Sequence, residues 1–302
     1  MKRALSLLRL LRPVQWAKNV FVFAPLVFSR HLFDPFFGER AILAFALFSL
    51  LSSVVYIIND IADRESDRLH PLKRMRPIAS GEVPIGAALG VASVLAAACV
   101  VGTLWLGPRV VLVAAVYLGL NLGYSFGLKQ VILVDVFIVA SGFMLRVLAG
   151  AFAIGVLVSP WLVLCTLFVS VFLAVSKRRA EILLNIAEES EMSRPVLRKY
   201  DIQFIEQMMT VTASGMAISY ALYTVAERTV EVFGTENLIF TTVFVLFGIF
   251  RYLYLVRTHG TNDNPTQLLL SDGPIIFNMI AWFAVCVLII YSHELKLALG
   301  WS

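Results

Sequence analysis

Residues 41–67 read AILAFALFSLLSSVVYIINDIADRESD, and the fold turns on this stretch. From Ala41 to Ile58 it carries no charge, whereas Asn59-Asp60-Ile61-Ala62-Asp63-Arg64-Glu65-Ser66-Asp67 carries four acids and an arginine. An apolar run of about 20 residues, rising about 1.5 Å per residue as a helix, matches the hydrocarbon thickness of a bilayer. The stretch therefore predicts a membrane-spanning helix that ends at the water interface in a dense acidic cluster.

Working outward on the same scale gives nine such runs, roughly 17–35, 41–62, 84–106, 109–127, 131–154, 160–179, 205–226, 236–256 and 274–297. The chain is 59% hydrophobic and 15% charged, with a mean hydropathy of +0.84; soluble domains are about 45–50% apolar and about 25% charged. No polar linker separates two cores, so a single membrane domain over 1–302 is expected. Lys2, Arg3, Arg9 and Arg12 precede an apolar run, as in a signal peptide. No small-residue cleavage site follows and Lys18 interrupts the run, so an interfacial start leading into a retained helix is expected. Gly107-Pro108 predicts a tight antiparallel hairpin, and Gly86, Ala87, Ala88 and Gly90 predict close helix packing. Cys99, Cys165 and Cys286 each sit in an apolar block, at spacings that suit neither zinc nor a disulfide framework.

The net charge of +5 does not point to nucleic acid, because the basic residues lie between apolar blocks. With nine spans and an internal N-terminus, nineteen of the 25 Lys and Arg fall on one side and five on the other, with Arg146 inside a span. The positive-inside rule then places the N-terminus and the long loops 63–83 and 177–204 in the cytoplasm.

Asp60, Asp63 and Asp67 are spaced by three and then four residues, which on a helix gathers them on one face. Like charges so placed call for a cation. Magnesium takes carboxylate oxygens, keeps waters and is completed by substrate phosphates. His70-Pro71-Leu72-Lys73-Arg74-Met75-Arg76-Pro77 follows directly, and three cations beside three carboxylates suit a substrate with several phosphates. For His70 a structural and a catalytic role both stay open. At the next cytoplasmic turn stand Tyr124-Ser125-Phe126-Gly127-Leu128-Lys129 and then Asp135. Lys129 is either a phosphate contact or a topology charge. Arg146, deep in the same span as Asp135, faces a cavity or an internal partner and not lipid. Lys177 or Arg178 shares a helical face with Glu181. Trp16 reads as an interfacial anchor, with Lys18 and Asn19 opening the first span. There is no P-loop, zinc-type His/Glu pattern or nucleophile elbow.

On these residues the chain resembles the UbiA superfamily of intramembrane prenyltransferases, through Asn59-Asp60-x-x-Asp63-x-x-x-Asp67 and the nine-span plan. The resemblance covers essentially the whole chain and implies an all-α bundle of nine transmembrane helices with a cytoplasm-facing polar site. The chain is most similar to the decaprenyl-phosphate phosphoribosyltransferase branch. That likeness rests on Arg12-Pro13-x-Gln15-Trp16-x-Lys18-Asn19, His70-Pro71-x-Lys73-Arg74-x-Arg76-Pro77-Ile78-Ala79, Tyr124-x-Phe126-Gly127-Leu128-Lys129 and Lys177-Arg178-x-x-Glu181. Where aromatic prenyltransferases of the superfamily carry a second Asp-rich motif, this chain has Lys177, Arg178 and Glu181.

The resemblance implies transfer of 5-phosphoribose from phosphoribosyl diphosphate to a polyprenyl phosphate in the inner membrane. Asn59, Asp60, Asp63 and Asp67 would hold Mg2+, and Asp60, Asp63, Asp67, Lys73 and Arg74 would act on the reacting groups. Lys18, Asn19, Arg76, Tyr124, Lys129, Arg146, Lys177, Arg178 and Glu181 would contact substrate. Homo-oligomerisation stays open. Two other readings also stand: an aromatic prenyltransferase using a prenyl diphosphate, and a transporter, which would place charges near the midplane of several helices.

Overall fold

The computed structural model of the protein describes residues 2–69, 73–188, 195–258, 269 and 271–292. Every regular element among the described residues is helical, and seven helices there are long and apolar enough to cross a membrane. The chain divides into two compact units, 1–158 and 159–302.

The first unit comprises α1 (Lys2–Leu11), a 3₁₀ helix (Pro13–Phe23), α2 (Ala24–Val27), α3 (Pro35–Ala62), α4 (Arg64–Leu69), α5 (Ile85–Leu106), α6 (Pro108–Phe126) and α7 (Val134–Ile154). Asp34 starts α3 by accepting a hydrogen bond from the Phe36 amide at 3.0 Å, with Pro35 in the first turn; both are standard helix-opening chemistry. α3 then packs against the 3₁₀ helix, α5, α6 and α7. Its Ala44, Leu47, Phe48, Leu51 and Val55 form one core with Cys99, Val113, Tyr117, Leu145 and Ala149. Gly107, at φ 121°, turns α5 directly into α6, which is the hairpin the sequence predicts. Arg40, near the start of α3, donates to the carbonyls of Ala153 (2.5 Å) and Leu106 (3.0 Å). These are carbonyls that helix ends leave without intrahelical partners. The N-terminal end of α3 thus sits beside the C-terminal ends of α5 and α7, and the acidic end of α3 lies at the other end of the unit.

The first expected span, 17–35, departs from expectation. It is built as the 3₁₀ helix followed by the four-residue α2, not as an α-helix of spanning length. Pro13 stands in the first turn of the 3₁₀ helix and Pro25 in the first turn of α2, where a missing backbone donor is tolerated, and Arg12, which precedes Pro13, is disfavoured in the right-handed helical region. Small residues are also used differently. A Cβ at Gly86 or Gly90 meets nothing within 4 Å, so these glycines of α5 mediate no close approach. Ala88 is fully buried instead. In α7 a glycine does mediate close approach: a Cβ on Gly150 would lie 1.9 Å from the Val22 carbonyl oxygen.

The second unit comprises α8 (Pro160–Glu188), α9 (Ile202–Val225), α10 (Glu227–Phe233), a 3₁₀ turn (Asn237–Thr241), α11 (Thr242–Thr258) and α12 (Gly273–Ile290). α8 and α9 pack together, with Gly215 so close to the Phe168 ring that a Cβ would lie 2.4 Å from it. Asp272 caps α12 through the Ile275 amide (2.9 Å) and also accepts from Arg251 Nη2 of α11 (2.8 Å). Trp282 Nε1 donates to the Tyr220 hydroxyl at 2.9 Å, tying α12 to α9. α9, 24 residues long, falls where the seventh span is expected.

Candidate active site

The acidic cluster forms where α3 gives way to α4. Asp63 sits between the two helices, at φ −92° and ψ 6°. The backbone ladder nevertheless runs on through it, from the Asp63 amide to the Asn59 carbonyl (2.9 Å) and from the Asp67 amide to the Asp63 carbonyl (2.8 Å). Asp60 and Asp67, two helical turns apart, therefore point the same way, and both are buried at 2% and 3% exposure. Arg76 Nη1 bridges them, at 3.1 Å to Asp60 Oδ1 and 2.6 Å to Asp67 Oδ2. Arg12 Nη2 reaches Asp60 Oδ1 at 2.5 Å from the junction of α1 and the 3₁₀ helix. Asp63, offset around the helix, pairs with Lys129 Nζ at 2.6 Å. Ser125 of α6 donates to Asn59 Oδ1 at 3.1 Å.

Of the three carboxylates expected on one face, Asp60 and Asp67 share it and Asp63 stands offset at the helix end, and a resident cation faces each member. No group of three or more His, Cys, Asp or Glu among the described residues is arranged to hold a metal ion by itself. The donor set still fits magnesium. It is all oxygen, the ion pairs engage Asp60 Oδ1, Asp63 Oδ1 and Asp67 Oδ2, and a carboxylate offers about four lone-pair sites in all. Magnesium is commonly held by one or two carboxylates with waters and substrate phosphates completing the shell, not by a protein cage.

The other expected residues distribute as follows. In the basic stretch Arg76 carries the bonds to the carboxylates; Arg74 is exposed and Lys73 half-buried. His70 lies outside the described residues. Lys18 and Tyr124 are half-buried. Asn19 and Arg146 belong to a buried network deeper in the first unit. Arg146 Nε donates to Asn19 Oδ1 (2.6 Å), Nη1 to the Gly142 carbonyl (2.7 Å) and Nη2 to the Tyr117 hydroxyl (3.0 Å). Its guanidinium also lies 5.0 Å from the Tyr117 ring centroid, and Asn19 Nδ2 donates to Ser49 at 3.0 Å. Ser52, which contacts Arg146 at 3.4 Å, stands about 12 Å before Asp60 along α3 at the helical rise. Of the two roles left open for Arg146, the internal partner is the one built here. In the second unit, Arg178 is almost fully buried and pairs with Glu181, and Lys177 Nζ lies 3.8 Å from the same carboxylate.

Sequence reasoning missed Arg12 as a member of the cluster. The available signal was its place in the Arg12-Pro13-x-Gln15-Trp16 motif; its partner Asp60 is 48 residues away, beyond any periodicity. The partners of Ser125 and Trp16, Asn59 and Ser53, were equally beyond sequence reach, the latter pair at 3.1 Å.

Residues 20–271 match the model of the UbiA prenyltransferase family. A relative from Corynebacterium glutamicum named decaprenyl-phosphate phosphoribosyltransferase is 37% identical over 296 residues, covering 95% of this chain and 87% of its own. One of the same name from Mycolicibacterium smegmatis is 33% identical over 297 residues, covering 95% and 92%. Among solved structures, a UbiA homologue from Archaeoglobus fulgidus bound to GPP and Mg2+ superposes with a TM-score of 0.71 at 19% identity, covering 96% of this chain and 99% of its own. That likeness concerns the fold. With the family model spanning most of its length and relatives above 30% identity along nearly all of it, the chain belongs to the UbiA prenyltransferase family.

Proposed function

We propose that the protein is a magnesium-dependent membrane phosphoribosyltransferase, moving 5-phosphoribose from phosphoribosyl diphosphate to a polyprenyl phosphate and releasing diphosphate. The observation that carries this reading is the end-to-end identity, 33–37%, with relatives named for that activity. The pairing of an acidic cluster with Arg12, Arg76 and Lys129 in the first unit supports it. So does the Lys177-Arg178-Glu181 cluster in the second. We place the N-terminus and this site on the cytoplasmic side of the inner membrane, on the asymmetry of Lys and Arg between loops.

Asn59, Asp60, Asp63 and Asp67 would hold the magnesium, which supplies Lewis acidity at the leaving diphosphate when bound. Arg76, Lys73 and Arg74 neutralise further phosphate charge; Arg76 can do so as a two-pronged donor. The C1–O bond of the ribose breaks with its electron pair leaving on the diphosphate, through an oxocarbenium-like state of the kind glycosyl transfer uses. A polyprenyl phosphate oxygen forms the new bond to C1. That oxygen is already anionic, so the chain needs no strong general base. Arg146, buried among Asn19, Tyr117 and Gly142, acts here as a structural cation that orders the 3₁₀ helix against α7.

The test is donor choice. Purified protein in detergent is given magnesium with either phosphoribosyl diphosphate and polyprenyl phosphate, or a prenyl diphosphate and an aromatic acid. Mass spectrometry is expected to find phosphoribosylated lipid from the first pair. Product from the second pair alone identifies an aromatic prenyltransferase, and silence in both returns the transport reading.

A further inference from the structure

Arg12 combines features that a plain structural ion pair does not need. It stands in the left-handed region at φ 52° and ψ 58°, where a non-glycine residue is uncommon, and strain of this kind persists where surroundings enforce it and clusters at functional sites. Its side chain is 23% exposed while Asp60, its partner, is 2% exposed, so the guanidinium has a route to solvent that the carboxylate lacks. The guanidinium carbon lies 5.2 Å from the ring centroid of Tyr56, one helical turn before Asp60, which gives it a second surface to rest on. The charge count is equally telling. Asp60, Asp63 and Asp67 face Arg12, Arg76 and Lys129, three negative charges against three positive, and the set is neutral as it stands.

We propose that Arg12 is a stand-in cation, holding Asp60 until a divalent ion and a diphosphate group arrive together and then turning from the carboxylate to the phosphate oxygens. This rests on the reading of the cluster as a metal–diphosphate site and adds a positioning residue and an order of loading to it. A divalent ion entering alone adds two positive charges to a set that is already neutral and weakens the hold of Asp60 on Arg12. The same ion entering with a multiply anionic diphosphate leaves Arg12 a new partner. The swap makes ion and diphosphate bind cooperatively, which is a coupling between two ligands. Asp60 keeps its bond to Arg76 at 3.1 Å when Arg12 turns away, so the buried carboxylate is not left without a cation.

The measurements are binding, not turnover. Mn2+ binding to the detergent-solubilised protein is followed by electron paramagnetic resonance without diphosphate, and binding of labelled inorganic diphosphate is followed at saturating Mg2+. Arg12→Gln is expected to bind Mn2+ alone about tenfold more tightly and diphosphate with Mg2+ about tenfold more weakly, each the equivalent of one lost charge contact. Arg12→Lys, which keeps the charge, is expected to stay within about threefold of the parent on both. A merely structural role predicts that both affinities fall together, and that result, or no change in either, overturns the proposal. The parent protein gives a reading independent of variant folding: its Mn2+ affinity rises when diphosphate is added, and an affinity indifferent to diphosphate overturns the proposal as well. Cooperative binding without phosphoribosyl transfer would instead sink the substrate assignment while leaving the stand-in role intact.

Discussion

At the scale of single residues, the buried guanidinium of Arg146 sets the sharpest stability test. Its partners Asn19 and Tyr117 are themselves buried, so removing the cation takes a hydrogen bond from each, at about 1–3 kcal/mol apiece, and leaves them the longer contacts to Ser52 at 3.4 and 3.3 Å. Arg146→Leu is therefore expected to lower stability by about 2–4 kcal/mol, read as an earlier unfolding midpoint in denaturing detergent, while an unchanged midpoint denies the network any structural weight. The sequence made Arg146 and Asn19 visible separately, one as a charge inside an apolar run and the other as a polar residue opening one. Their bond spans 127 residues, and a single chain without its fold holds no record of such a distance. Arg12 and Asp60 illustrate the same limit, whereas Asp60, Asp63 and Asp67 were legible together because helical spacing alone unites them.

At the scale of elements, apolar length predicted most helices well, because a bilayer-length run of Leu, Val, Ala and Phe leaves the backbone few other ways to satisfy its polar groups. It departed at 17–35, where hydropathy cannot tell a 3₁₀ helix from an α-helix and the chain changes from one to the other at Ala24. That 3₁₀ helix lies tight against α7 at Gly150, where the obstacle is backbone: a Cβ would meet Val22 O at 1.9 Å and Val22 C at 2.9 Å. Gly150→Ala should cost about 1–3 kcal/mol through overpacking. Gly86→Ala, with open space around it, should instead be neutral or stabilising by up to about 1 kcal/mol. Unfolding of the two variants side by side checks both, and equal effects contradict the packing described for α7 and α5.

At the scale of the whole molecule, the distribution of charge predicts orientation. Arg74, exposed in the loop after α4, and Arg109, at the α5–α6 turn, belong to opposite faces in the Lys and Arg count. Arg74→Cys should react with a membrane-impermeant maleimide only after the membrane is opened, and Arg109→Cys without opening it. Cys99 and Cys286 are buried, and the partly exposed Cys165 is replaced by alanine to remove background labelling. Labelling of both from the same side contradicts the orientation. The central claim, that the acidic end of α3 is the metal–diphosphate site of a phosphoribosyl transfer, is best tested at Asp63. Asp63 is more exposed than Asp60 or Asp67 and does not hold the Arg76 bridge, so its loss spares the fold. The measurement is the magnesium-dependent rate of phosphoribosyl transfer to polyprenyl phosphate by the parent and by Asp63→Ala, both checked for helix content. The account predicts robust transfer by the parent and a loss of about 100-fold or more in the variant, the scale on which removing one group that stabilises transition-state charge is felt. Transfer at the parental rate by Asp63→Ala would contradict it.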